Sequence, residues 1–193
     1  GFRATSGGLH KAYGIDPDIA IFGKALGNGY AITSVIGTET VMTAAQDTFI
    51  SSTFWTERIG PAAALKTIEI MKSDNIPELI TQYGGYINEN WQRLGERHGF
   101  DLQVNGLPSL THFSFGSSNE LIYKTLITQE MLKKGYLATN SIYVCKDHTK
   151  EVVDDYIASL DDVFIKIRHI EDGDDPKNYL EGPVCHSGFK RLN

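Results

Sequence analysis

The run from 15 to 29, IDPDIAIFGKALGNG, constrains this chain most. Five of the seven positions from 15 to 21 are apolar or proline, the make-up of a short buried strand. Gly23 closes that strand with a residue that tolerates turn geometry, and Lys24 follows it directly. Gly27, Asn28 and Gly29 come next; the glycines let a backbone turn sharply, and Asn28 tolerates left-handed geometry. A lysine at a strand end is expected to point into the cleft that the strand tips form. A primary amine at the edge of a dry pocket can lose its proton and attack an aldehyde, the chemistry of Schiff-base lysines. Taken alone, any lysine is more often a solvated surface residue.

Around this run the chain reads as two regions joined by a helix. Up to about residue 60, short strands alternate with helices: a helix near 7–13, the lysine strand, a strand at 32–36 and a helix over 39–46. That alternation predicts α/β structure, a piece of a mainly parallel sheet. Pro61 suits the first turn of a helix, and Ala62, Ala63, Leu65, Ile68 and Met71 recur at helical spacing behind it. The helix is expected to break near 75–77 and resume over 78–98, with Leu79, Ile80, Tyr83, Ile87, Trp91 and Leu94 on one side. An α+β region follows, with strands near 102–104 and 110–115, a helix near 128–134, a strand at 142–144 and a helix over 150–167 that Thr149 would cap. The acidic, turn-rich run EDGDDP opens a tail, 169–193, expected to be a flexible extension. The alternative is that Cys185, His186, Lys190 and Arg191 fold back over a partner subunit or a substrate mouth.

Composition narrows the function classes. A hydrophobic fraction of 41% and a charged fraction of 22% are ordinary for a globular chain, and 193 residues can bury a sizeable core. No stretch has the length of a membrane span, and no basic-then-apolar leader opens the sequence. The net charge of −6 and the scatter of the 18 Lys and Arg argue against nucleic acid as the main partner. Cys145 and Cys185 follow no metal-ligand spacing, and none of the six histidines has another four residues away. A reducing, cytoplasmic setting without a metal is the expectation.

PDIAIFGKALGNGYAITSVIG, from Pro17, resembles the lysine segment of the class III, fold-type-I aminotransferases, most closely glutamate-1-semialdehyde aminomutase and its kin. GFRATSGGLHKAYGIDPD, from Gly1, resembles the stretch leading into that strand. STFWTERIGPAAALKTIEIM, from Ser52, resembles the family's Gly-Thr loop and long helix, with Ser52 where the Gly usually stands. MLKKGYLATNSIYVCKDHTKEVVDDYI, from Met131, resembles the last strand and helix of the small domain. The resemblance implies that residues 1–73 are the C-terminal part of a large domain that binds pyridoxal phosphate, and that 74–168 are a small α+β domain. It begins in the middle of the family's catalytic domain, so the chain is expected to be a piece of a longer protein. The family's aspartate for the pyridine nitrogen, its stacking aromatic and its phosphate loop all lie upstream of the matched region.

The resemblance also assigns roles. Lys24 would hold pyridoxal 5'-phosphate as a Schiff base and then shuttle a proton between the substrate carbon and the cofactor. Thr53, with Ser52 as a lesser candidate, would reach the cofactor phosphate of the neighbouring subunit, implying a homodimer with shared active sites. A hydroxyl beside a helix start can donate to a phosphate oxygen, and the helix end adds N–H groups and a favourable dipole; an ordinary helix-flanking Ser/Thr cluster is the alternative. Trp55, Glu57 and Arg58 fall where relatives carry small residues and a proline, which suggests an altered substrate mouth. Three functions stay open: a transaminase acting on a small or sugar-like amino compound, a 2,1-aminomutase, and a non-catalytic assembly protein that keeps part of the fold.

Overall fold

A computed structural model describes residues 2–188, so Lys190 and Arg191 lie outside the described residues. The chain divides into two compact units, 1–79 and 80–193.

The first unit contains α1 (Leu9–Ala12), β1 (Ile19–Phe22), a 3-10 turn (Lys24–Leu26), β2 (Ser34–Gly37), α2 (Glu39–Ala44), a second 3-10 turn (Ala45–Asp47) and α3 (Ile59–Ser73). β1 and β2 pair antiparallel, with Ile19 opposite Gly37 and Phe22 opposite Ser34. The expectation is a piece of a mainly parallel sheet, and the one pairing described within this unit is antiparallel. The cause is the link: residues 23–33 hold only a 3-10 turn, too little for the helical crossover that parallel neighbours need. Asn75, in the left-handed region at φ 47°, breaks the helical run as expected, and α4 (Ile76–Arg97) begins immediately after it.

This unit buries little. Leu26, Ala64 and Met71 are its core apolar side chains, while Ile19, Ile21, Val35 and Ile36 on the two strands are between 46% and 69% exposed. Ile19, Ile21 and Val35 share one face of the pair, and Ala20, Phe22 and Ile36 the other. A sheet apolar on both faces is the pattern of a layer meant to be covered on both.

The second unit has a full core. It contains α4 from residue 80 onward, β3 (Gln103–Leu107), β4 (Leu110–Ser114), α5 (Glu120–Lys133), β5 (Ser141–Tyr143) and α6 (Lys150–Glu171). The strands form one antiparallel sheet in the order β3-β4-β5, with Asn105 opposite His112 and Thr111 opposite Ile142. Thr111 and Phe113 face inward from β4, and Leu110 and His112 face out. Ile87, Trp91 and Leu94 of α4 recur at helical spacing and are buried, together with Tyr123, Leu126, Ile127 and Met131 of α5 and Tyr156, Leu160, Phe164 and Ile167 of α6. Trp91 meets Phe113 edge-on with ring centres 4.7 Å apart, and its indole N–H donates to the Tyr156 hydroxyl at 3.1 Å. Thr149 precedes α6 in extended geometry but makes no side-chain cap bond.

The described part of the tail lies along α5 instead of standing free. Gln129 donates to the Tyr179 carbonyl and accepts from the Glu181 N–H, both at 2.8 Å, and the Cys185 N–H donates to Thr125 Oγ1 at 2.9 Å. Lys133 Nζ bridges Glu181 and Glu130, at 2.7 and 2.6 Å. The acidic, turn-rich run does leave the helix, as its composition requires, and the polar groups on α5 then hold the stretch from Tyr179 to Cys185.

Glu130 makes that anchorage pH-dependent. Burial pushes its carboxyl up, but hydrogen bonds from Lys133, Lys166 and Gln129 outweigh burial and hold it at about 2. A carboxyl whose folded pKa lies below its unfolded value contributes stability above the unfolded pKa, which is lost as the pH falls toward the folded one. Melting temperature is therefore expected to fall as the pH drops from about 4.5 to about 2. Glu130→Gln should flatten part of that slope; an unchanged slope would show that Glu130 does not govern it.

Candidate active site

The site is built on the exit from β1. Gly23 is extended, and Lys24 then adopts φ 44°, in the left-handed region that a side chain seldom enters. The 3-10 turn that Lys24 opens is closed by the Leu26 N–H on the Gly23 carbonyl at 3.1 Å and by the Asn28 N–H on the Lys24 carbonyl at 3.2 Å. Leu26 is buried and anchors the turn against α3. Asn28 is left-handed as well, at φ 46°. Two non-glycine residues in that region within five positions mark a segment held in place by its surroundings, which is common where function is positioned.

Two glycines keep the turn in place. A Cβ on Gly27 would sit 2.1 Å from the Tyr30 carbonyl oxygen, so the collision expected there is with this chain's own backbone. Gly60, in the first turn of α3, approaches the same loop: its Cβ would lie 3.0 Å from the Ala31 carbonyl oxygen and 3.2 Å from Ile32 Cβ. Sequence inspection leaves Gly60 unnoticed, since a lone glycine beside a proline reads as a helix start. Gly27→Ala is expected to displace the turn and destabilise the first unit by about 1–3 kcal/mol, measured by chemical denaturation. An unperturbed variant would mean that the loop relaxes freely.

The Lys24 side chain is exposed, and its amine makes no hydrogen bond or ion pair among the described residues. A cavity of about 920 Å³ lies close by, lined by Phe22, Leu26, Ile32, Ile36, Leu65 and Ile68 among others, but Lys24 is not part of its wall. The lysine expected at the mouth of a cleft thus stands outside the wall of this cavity. Ala20 and Phe22 take the cavity face of β1, and the left-handed step at Lys24 breaks the alternation that would have carried the lysine to the same side.

Ser52 and Thr53 lie on the exposed loop that leads into α3. The Ser52 hydroxyl oxygen accepts the Phe54 N–H at 3.2 Å, and Thr53 is left without a hydrogen bond among the described residues. Phe49, Phe54, Trp55 and Ile59 are between 61% and 94% exposed around them. The start of α3 does not offer an anion its N–H groups. Glu57 accepts the Ile59 N–H through one carboxylate oxygen and the Gly60 N–H, at 3.1 Å, through the other. Pro61 has no N–H, and the Ala62 N–H donates to the Arg58 carbonyl. The helix end expected to assist Thr53 is thus already filled by a carboxylate, because Glu57 stands just ahead of a first turn whose donors need satisfying. Glu57 immediately before a helix with Pro61 in its first turn is the signal that sequence reasoning could have used. Arg58 is exposed.

The chain resembles one family over most of its length. The family described as "Aminotransferase class-III" matches residues 1–161, and the chain belongs to it. It is 33% identical to a 3-aminobutyryl-CoA aminotransferase of Cloacimonas acidaminovorans, over 78% of this chain and 38% of that protein. It is 30% identical to a glutamate-1-semialdehyde 2,1-aminomutase of Caldivirga maquilingensis, over 85% of this chain and 42% of that protein. Among solved structures, the FumI protein of Sphingopyxis sp. MTA144, in its PLP internal aldimine form, superposes with a TM-score of 0.81 at 23% identity, over 91% of this chain and 43% of that one. The chain therefore spans about 40% of the length of these relatives and is a partial fold-type-I α/β fold. The family is dependent on pyridoxal phosphate, and the residues present suit that group in part: an unpaired amine on a rigid turn and an unbonded hydroxyl on a loop. No described helix is long and apolar enough to cross a membrane.

Proposed function

We propose that this chain carries the lysine part of the active site of a pyridoxal-phosphate-dependent transaminase acting on a small or sugar-like amino compound. The observation that carries the reading is Lys24: an unpaired amine in a left-handed turn at a strand end, within a chain matched by the class III family. Pyridoxal phosphate supplies an aldehyde and an electron-withdrawing ring when bound. Lys24 supplies the amine that binds the aldehyde, and once released it moves a proton to or from the substrate carbon. Arginine in its place could do neither, because it stays protonated.

Thr53 donates its hydroxyl to the cofactor phosphate of a second copy, and Ser52 shapes the loop by accepting the Phe54 N–H. A homodimer with shared active sites is supported by the apolar side chains Phe49, Phe54, Trp55 and Ile59, which surround Thr53 and lack cover in this chain. The substrate class is supported by relatives named an aminopentol aminotransferase and a 2'-deamino-2'-hydroxyneamine transaminase. Relatives named as 2,1-aminomutases support a second reading, in which the amino group returns to the same carbon skeleton. Turnover without an added keto acid would favour that second reading.

The test is to mix the protein with pyridoxal phosphate, reduce with borohydride and map the modified peptide. Label on Lys24 is the expected result. Absence of label there in the intact protein would favour the non-catalytic assembly role.

A further inference from the structure

A series of contacts joins the Thr53 loop to the lysine turn, and Glu57 is its central member. The Phe54 N–H donates to Ser52 Oγ, and the Glu57 N–H donates to the Phe54 carbonyl at 3.0 Å, which folds 52–57 into one compact turn. The Glu57 carboxylate then ties that turn to α3 by accepting from Ile59 and Gly60, one N–H on each oxygen. Gly60 in turn presses against Ala31 and Ile32, the residues that follow the lysine turn. We infer that Glu57 is a positioning residue, one that fixes the Thr53 loop against α3, so that the phosphate of the second copy's cofactor is held by Thr53 and not by the helix end. The inference rests on the proposed role of Thr53 and deepens it. Its chemistry is direct: N–H donors from Gly60 and Ile59 hold the carboxyl of Glu57 below the usual carboxylate range, so it stays charged and bonded at neutral pH.

The experiment compares pyridoxal phosphate with pyridoxal, since the ratio of their affinities isolates what the phosphate contributes. Glu57→Ala is expected to lower that ratio about tenfold, and Thr53→Ala by a similar factor. The double variant should fall no further than either single one, because both changes remove the same contact. Glu57→Gln keeps one acceptor oxygen and should lie between Glu57→Ala and the parent. Amide exchange at Ile59 and Gly60, measured without cofactor, should quicken in Glu57→Ala. If exchange quickens while the affinity ratio holds, or if the two substitutions add, Glu57 is a helix cap only and the inference is overturned. A ratio that rises, because the freed helix end binds phosphate, overturns it as well. Should Thr53→Ala leave the ratio unchanged, it is the Thr53 assignment that has failed. If pyridoxal phosphate does not attach to Lys24 in any variant, the proposed function fails and this inference falls with it.

Discussion

On the proposed role of Lys24, Lys24→Ala is expected to take up no borohydride-fixed pyridoxal phosphate, and amino-group transfer by the full-length protein is expected to fall by at least about 10²–10⁴-fold. That figure is the usual contribution of a positioned acid–base group alone, before the loss of the covalent step is added. Lys24→Arg should do no better, since a guanidinium neither condenses with an aldehyde nor gives up a proton near neutral pH. Stability should change little, because the side chain is exposed and unpaired among the described residues. The combination of lost labelling and preserved melting temperature separates a chemical role from a structural one. Label persisting on another lysine would remove Lys24 from the mechanism.

Trp91→Ala is expected to have the largest effect on stability. Trp91 has no exposed surface, stacks edge-on to Phe113 and donates to the Tyr156 hydroxyl. Truncation would open a cavity between α4, β4 and α6 and leave the hydroxyl of Tyr156 without its donor. Such losses cost about 3–5 kcal/mol for a large aromatic, a sizeable part of a domain's total stability. The melting transition of the second unit should drop by roughly 12–20 °C. Trp91→Phe, which keeps most of the volume and loses the N–H, should recover most of it. A drop below a few degrees for Trp91→Ala would mean that neighbouring side chains collapse into the space.

The two units also differ in how much of them is legible in the residue order. In α4 the spacing of Leu79, Ile80, Tyr83, Ile87, Trp91 and Leu94 is visible; Ile80, Ile87, Trp91 and Leu94 are buried, and Leu79 and Tyr83 half-buried. In α5 it is not: the helix begins at Glu120, well before the expected 128, because Leu121, Ile122, Tyr123, Leu126 and Ile127 form a nearly continuous apolar run. Such a run carries no clear period, and only burial against α6 decides that it is helical. That β1 and β2 are an antiparallel pair within the expected α/β fold is hidden for a related reason, since the alternation of elements does not weigh the length of the link between them. Gly84 gives no signal at all, yet a Cβ there would lie 1.8 Å from the Pro108 carbonyl oxygen.

The candidate site divides along the same line. Family membership rests on the match over residues 1–161, a matter of local residue order, and local order is what a sequence carries directly. The same order singles out Lys24 and Thr53 and suggests the left-handed tolerance of Asn28. Folding alone decided that Lys24 leaves the cavity face, that Gly60 backs onto the loop behind the lysine, and that Glu57 fills the helix end. Those outcomes depend on dihedral angles and on approaches between residues distant along the chain, which compete for the same few donors and the same space. No single stretch of residues encodes the result of that competition, so it becomes visible only once the packed backbone fixes which partner wins.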